Sequence, residues 1–475
     1  MTIELLPWIV VGTVLGLLVG AVPGLTGAMV IALAIPMTFG MEPASAMALL
    51  VSMYVGSVSG GLITATLLKI PGTPSSIMTT LDAYPMAAKG APRRALGLGI
   101  VASLVGGVFA WGVLVGLARP LARWSLALGP IDYFALVVMA FGLVVSITQG
   151  NRLAGLLSLA LGLLLALPGV DPATGQTRLT MGAPALGDGL KQLPVLIGLF
   201  ALPEAMRLIF SINKKVDRLE RSGGRFPTLS QWRGQIGNLI RSSAIGSFVG
   251  VLPGIGANIG SLLAYGAART TAKDRDRFGT GADSGVIASE AANNATVGGA
   301  LVPLVALGIP GSVIDAILLG AFVIHGLQPG PLLFENSSEI VSAISWSYLI
   351  ANGVMVAAML LGLGWIYRIT RIPSWVLAPL ILVCCVVGSY AFANRMFDVW
   401  VMVGCGVLGM ILNRWRVPLA PLVLGFVLLP LAESNLVKAI AIGDGRISAF
   451  SITIFSLTAI LVIGPVVWGK LKRSE

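Results

Sequence analysis

The sequence predicts an all-α polytopic membrane protein, on three observations: a deficit of charge, recurrent apolar windows of bilayer length, and paired Pro-Gly interruptions inside such windows. Of the 475 residues only 11% are charged and 56% are hydrophobic, against roughly 25% charged in a soluble domain. A water-facing exterior would need more Lys, Arg, Asp and Glu than are present, so most of the surface must face lipid. Apolar runs recur, among them Leu136 to Ile147, Leu153 to Leu167, Val354 to Ile366 and Ile452 to Trp468 with their flanks. They are continuous and rich in Leu, Ala and Gly instead of alternating, which selects helices over a β-barrel. Roughly 11 to 12 spans are expected from their number and length.

The start, Met1 to Pro7, lacks a basic signal-peptide region and runs directly into the apolar Trp8 to Val22, so it reads as mature protein. The net charge of +11 collects in a few inter-span loops. That pattern fits the positive-inside rule and argues against a nucleic-acid partner. Cys384, Cys385 and Cys405 fall within apolar runs and supply no disulfide framework.

Two motifs recur in the same order. Val19-Gly20-Ala21-Val22-Pro23-Gly24-Leu25 returns as Val249-Gly250-Val251-Leu252-Pro253-Gly254-Ile255. Gly60 followed by Ile70-Pro71-Gly72-Thr73 returns as Gly299 followed by Ile309-Pro310-Gly311-Ser312. A duplicated architecture follows: a first repeat over 1–210 with core motifs in 19–96 and following spans in 97–210, then a loop over 211–240. A second repeat covers 241–432, with core motifs in 249–334 and following spans in 340–432, and an extra span with a tail occupies 433–475.

Charge gives the orientation. Lys214, Lys215, Arg218, Arg221, Arg225 and Arg233 place the 211–240 loop in the cytoplasm, and Arg269, Lys273, Arg275 and Arg277 place the next loop there too. The apolar stretch between them, broken at Pro253-Gly254, enters and leaves by one face. Its counterpart around Pro23-Gly24 is flanked by Glu4 and Glu42 and enters from the other. Matching elements of opposite orientation are inverted-topology repeats with broken helices or re-entrant hairpins, as in many secondary transporters. The N-terminus is expected outside and the C-terminus inside. Arg119 and Arg123 break the scheme, because it puts them in an outside loop.

Proline removes an N–H and glycine tolerates unusual dihedrals, so each Pro-Gly frees main-chain groups at membrane depth. Such groups persist only where protein or an aqueous cavity satisfies them. Carbonyls near Gly24, Gly72, Gly254 and Gly311, with Asp315, are candidates for holding a small cation; no other metal site is expected. Helix N-termini can hold carboxylates. Thr73, Ser75, Ser76, Asn258, Asn293, Asn294 and Ser312 are therefore candidates for binding the substrate. Taken singly, Thr73 and Ser312 also read as ordinary N-caps, and Asp315 as a first-turn carboxylate.

Glu290, Asn293 and Asn294 share a helical face in an apolar run, which points to a cavity or to interhelical hydrogen bonding. Lys69 and Glu290 are candidate charge partners, although Lys69 equally reads as snorkelling to the interface. Asp82 is expected to cap locally or pair with Lys89, Arg93 or Arg94.

Enzyme chemistry has little to stand on. The single histidine, His325, precedes Gly326 and Pro329 at a span end and reads as structural. Ala185-Leu186-Gly187-Asp188 lacks a membrane-embedded partner Asp, and no phosphate-binding loop is present. No organic cofactor is expected.

The chain resembles the large membrane subunit of the tripartite tricarboxylate transporters, the TctA type. The resemblance rests on Val22-Pro23-Gly24, Ile70 to Ser76, Leu81-Asp82-Ala83-Tyr84-Pro85-Met86, Gly279 to Ala282, Glu290 to Ala295, Leu307 to Ser312 and Ile324 to Pro331. It implies a small four-span membrane subunit of the TctB type and a periplasmic substrate-binding protein of the TctC type as partners. It also implies uptake of an organic carboxylate coupled to sodium or protons across a bacterial inner membrane. Lys69 departs from the neutral polar residue expected there.

Overall fold

A computed structural model describes residues 3–22, 25–148, 152–171, 174–210, 224–369, 374–442 and 447–471. Pro23, Gly24, Lys214, Lys215, Arg218 and Arg221 lie outside them. The first core region contains α1 (Leu6–Gly20), α2 (Gly27–Ala34), α3 (Pro43–Leu67), α4 (Ile77–Ala88) and the long α5 (Pro92–Ser125). Then come α6 (Pro130–Ile147), α7 (Arg152–Ala166) and α8 (Gln192–Phe210). A short α9 (Leu229–Arg233) leads to the second core region: α10 (Ile236–Val251), α11 (Gly256–Thr271), α12 (Asp283–Leu307), α13 (Val313–Ile324), α14 (Pro331–Asn336) and the long α15 (Ser338–Ile369). The chain closes with α16 (Ser374–Ala391), α17 (Met396–Arg414), α18 (Leu419–Ile442) and α19 (Ala449–Leu471).

The protein is thus an all-α polytopic membrane protein. Seven helices among the described residues are long and apolar enough to cross a bilayer, and further apolar helices are shorter. The only sheet among them is a two-stranded hairpin, β1 (Gly169–Val170) with β2 (Thr177–Arg178), between α7 and α8. Arg178 locks it onto α18 through a fork to Glu433 at 2.5 and 2.6 Å.

α3 and α12 form the core. Both run 25 residues, and α3 is buried from Ala46 to Leu67 while α12 is buried from Gly285 to Ala306. Helices inside a membrane bundle approach closely only where small residues remove side-chain bulk, and the two regions use the same positions. A Cβ on Gly16 or Gly20 of α1 would overlap the Met53 or Ser57 carbonyl of α3. One on Gly246 or Gly250 of α10 would overlap the Ala292 or Thr296 carbonyl of α12. In the reverse direction, Gly60 closes on the Leu17 carbonyl and Gly299 on that of Ser247.

The partner pattern also recurs. α5 packs on α12 and α10, and α15 packs on α3 and α1, so each long helix clasps the core of the other region. α8 packs on α16 and α17, and α18 packs on α6 and α7. α19 adds to α6.

Arg119 and Arg123 are exposed in the last turns of α5, not in a loop, which changes the element they mark. Asp82 also departs from expectation. It is fully buried and pairs with none of Lys89, Arg93 and Arg94. Its Oδ1 accepts from the amides of Gly279, Gly281 and Ala282 at 2.8, 2.9 and 2.8 Å, and its Oδ2 from the Tyr265 hydroxyl at 2.8 Å. Gly281, at φ +115, adopts a conformation that side chains oppose, and this turns the amides inward. Lys89 reaches the Thr280 carbonyl at 2.7 Å and Arg94 pairs with Asp283. These charges staple α4 and α5 to the loop before α12.

Candidate functional site

Three of the four helices that follow a break begin with a hydroxyl residue. Thr26 caps α2, accepting from the Met29 amide at 3.2 Å. Thr73 opens a 3-10 turn, Pro74–Ser76, that runs directly into α4, and Ser76 Oγ accepts from the Thr73 amide at 3.2 Å while donating to the Thr73 carbonyl at 2.8 Å. Leu252-Pro253-Gly254 stops α10, with Gly254 at φ +76, and α11 starts after Ile255. Ser312 caps α13, accepting from the Asp315 amide at 3.3 Å.

All four starts meet at one cavity of about 240 Å³. Thr26 and Gly27, Thr73 to Ser75, Gly254 to Asn258, and Ser312 to Ile314 line it. Tyr54 and Val58 of α3, Phe200 of α8 and Ala420 of α18 complete the wall. None of these side chains carries a charge. The electrostatic character therefore comes from first-turn N–H groups and from aligned peptide dipoles, equivalent to roughly half a positive charge per helix start. Such a site favours anions. Asn258 is exposed and also lines an adjoining cavity of about 340 Å³ with Val144, Thr148 and Pro418, so the chamber continues outward between α6, α11 and α18.

One carboxylate stands directly behind this wall. Asp315 is fully buried, and its Oδ2 accepts from Ser312 Oγ at 2.6 Å, while its Oδ1 has no partner among the described residues. Because Ser312 commits its only proton to Asp315, the Tyr54 hydroxyl, 3.1 Å away, must donate to Ser312. A chain of hydroxyls thus runs from α3 to the start of α13.

Of the residues singled out from sequence, the cavity gathers Thr73, Ser75, Asn258, Ser312 and Gly254 at its wall, with Ser76 and Asp315 one hydrogen bond behind. Gly72 and Gly311 lie off the wall, close against the carbonyls of Gly20 and Gly250. Gly24 lies outside the described residues. Lys69 stands away from the cavity, exposed, with its ammonium 5.4 Å from the centre of the Tyr84 ring.

Three further candidates are buried inside α12 and do not line the wall. Asn294 accepts from Ser59 at 2.7 Å, and its side-chain amide donates to the Glu290 carbonyl at 3.2 Å. Glu290 accepts from Thr79 and Ser103. Asn293 has both amide atoms buried without a partner among the described residues. Tyr54 and Thr26 were not foreseen. Thr26 had a legible signal, since it follows Pro23-Gly24 after one residue, much as Thr73 directly follows Pro71-Gly72. His325, read from sequence as structural, pairs through its Nε2 with Thr38 Oγ1 at 2.9 Å.

The family model described as "Tripartite tricarboxylate transporter TctA family" matches residues 6–424. An uncharacterised 52.8 kDa protein in the TAR-I ttuC' 3' region of Agrobacterium vitis is 35% identical over 443 residues, covering 93% of this chain and 88% of the relative. An uncharacterised protein in the TAR-II ttuC' 3' region of the same organism is 37% identical over 205 residues, 43% of this chain and 85% of the relative. No solved structure matches.

Proposed function

Since the chain belongs to the TctA family of tripartite tricarboxylate transporters, we propose that it is the large permease subunit of a carrier that takes up an organic carboxylate together with a cation, sodium or a proton. A periplasmic binding protein of the TctC type delivers the acid, and a small membrane subunit of the TctB type completes the assembly in a bacterial inner membrane. The chain does no covalent chemistry on its cargo and needs no organic cofactor.

The observation that carries this reading is the meeting of four helix starts at one uncharged chamber. Its volume lies below the roughly 300–1,000 Å³ of pockets for drug-sized ligands, which suits a small acid. Carboxylates take the first-turn amides after Thr73, Ile255 and Ser312, and the hydroxyls of Thr73 and Ser75 fix their orientation. Asp315 supplies the reason for coupling: its negative charge behind Ser312 opposes an anion until a cation neutralises it. Substrate and cation then stabilise each other, so neither crosses efficiently alone.

Duplication supports the transport cycle. The matched glycine contacts of α1 on α3 and of α10 on α12 fit two copies of one unit, inserted with opposite orientation over 1–210 and 241–432. Rocking of one unit against the other opens the chamber to each side in turn.

The test is uptake of a panel of radiolabelled di- and tricarboxylates, citrate among them, by proteoliposomes holding the full complex and an imposed sodium or proton gradient. Accumulation above equilibrium that collapses with the gradient is expected. Equilibration only would instead identify a pore.

A further inference from the structure

Glu290 is a fully buried carboxylate that the substrate chamber leaves unused. It lies in the third turn of α12, away from the cavity wall, and is held by hydroxyls from two other helices. Thr79 of α4 donates to Oε1 at 2.5 Å, and Ser103 of α5 donates to Oε2 at 3.0 Å. No cation reaches it among the described residues.

The charged and titratable groups on the helices packed against α12 are engaged elsewhere or exposed. Arg94 pairs with Asp283 of α12 itself, and Asp82 holds Tyr265 and three amides. Arg241 of α10 donates to Thr271 and Asn238, while Tyr54 and Asp315 share Ser312. Tyr84 lies under Lys69, and the buried Tyr348 of α15 donates to the Asn294 carbonyl at 3.1 Å. Arg93, Arg119 and Arg123 of α5, Arg269 of α11 and Glu335 of α14 are exposed.

We infer that Glu290 is a proton-binding site that couples proton movement to the position of α4, separate from the substrate chamber. This rests on the transporter reading above and names one of its coupling ions.

Hydroxyl geometry carries the inference. With Glu290 ionised, Thr79 and Ser103 each give it their one proton. With Glu290 protonated on Oε1, it donates to Thr79 Oγ1, and the Thr79 proton turns to Ser289 Oγ, 3.1 Å away. Ser289 already donates to the carbonyls of Gly285 and Val286, at 2.9 and 3.1 Å, so its oxygen is free to accept. Both protonation states are therefore hydrogen-bonded without moving a heavy atom, which a lysine or arginine partner would forbid.

A metal ion fits less well. Ligand oxygens stand about 2.3–2.6 Å from a hard cation such as calcium, and the 2.5 Å between Thr79 and Glu290 leaves no gap for one. The position also explains how protonation reaches the cargo. Thr79 lies one helical turn beyond Ser75, on the same continuous helix whose start lines the chamber. An ionised Glu290 holds Thr79 by a charge-assisted hydrogen bond and a protonated one by a neutral bond roughly half as strong, so protonation loosens the hold on α4.

The experiment compares wild type, Glu290→Gln and Ser103→Ala in the full complex, using whichever acid of the panel the wild type accumulates. Accumulation is driven by a one-unit pH gradient with sodium equal on both sides, and counterflow is measured without a gradient. The wild type is expected to concentrate the acid, up to about tenfold per coupled proton. Glu290→Gln, fixed in a neutral state, should fall to equilibrium under the pH gradient while keeping counterflow. Ser103→Ala, which removes one donor to the ionised form, should move the half-maximal pH of uptake upward by roughly one unit. It decides the matter if Glu290→Gln fails to fold.

Gradient-driven accumulation by Glu290→Gln, or an unmoved profile for Ser103→Ala, would overturn the site. So would a wild type that answers only to sodium, and each of these outcomes leaves the carrier intact. Failure of the wild type to concentrate any acid under either gradient would instead remove the transporter reading beneath it.

Discussion

Asp82 and Asp315 are both fully buried carboxylates, yet their surroundings give them different work. Asp82 spends both oxygens on three amides and a tyrosine hydroxyl, so it fixes a loop. Asp315 has one oxygen bonded and one unpartnered among the described residues, beside a chamber, which leaves it capacity for an ion. Replacing Asp82 by alanine strands those four donors, and hydrogen bonds to charged groups are each worth about 1.5–3 kcal/mol. The Asp82→Ala protein in detergent should lose at least about 2 kcal/mol of stability, read as a lower Tm and as faster proteolysis within 279–282. Unchanged values would mean that this loop is held by something else. Sequence carried part of this. Asp82 was visible as a carboxylate near basic residues, but its true partners are main-chain amides about two hundred positions away, which no charge pattern encodes.

At the scale of helices, the starts and stops were the legible part. Proline without an N–H followed by glycine marks where a buried helix must end, and the hydroxyl residue soon after marks where the next begins. Thr73, Ser75 and Ser312 were readable for that reason. α12 was harder: helical spacing puts Glu290, Asn293 and Asn294 on one face, but not which neighbour that face meets. It meets Ser59, Thr79 and Ser103 instead of the chamber. Close helix contact is the other feature of this scale. A methyl on Gly250 would overlap the Thr296 carbonyl, whereas one on Gly112 of α5 would meet nothing within 4 Å. Gly250→Ala should therefore cost about 1–3 kcal/mol by overpacking and lower the Tm of the purified protein. Gly112→Ala serves as the neutral control. Equal melting of the two variants would contradict the close pairing of α10 with α12.

Across the whole molecule, composition alone was enough for the all-α membrane class, because charge deficit and window length are global constraints that lipid imposes. Recurrence of Pro-Gly motifs marked two comparable regions. What sequence did not hold was the exchange of long helices, α5 onto α12 and α15 onto α3, since both members of each pair look equally apolar. That exchange matters for function. It binds the two regions into one body around the cavity, so four separate helix starts face a common volume instead of four separate lipid-facing kinks. The most direct measurement is a cryo-electron microscopy map of the complex with an accumulated acid bound. Its density should lie between the first turns after Thr73 and Ser312, within reach of Asn258 and Tyr54. Density elsewhere, for instance along α12 beside Asn293, with the chamber holding only water, would contradict the proposed mode of binding.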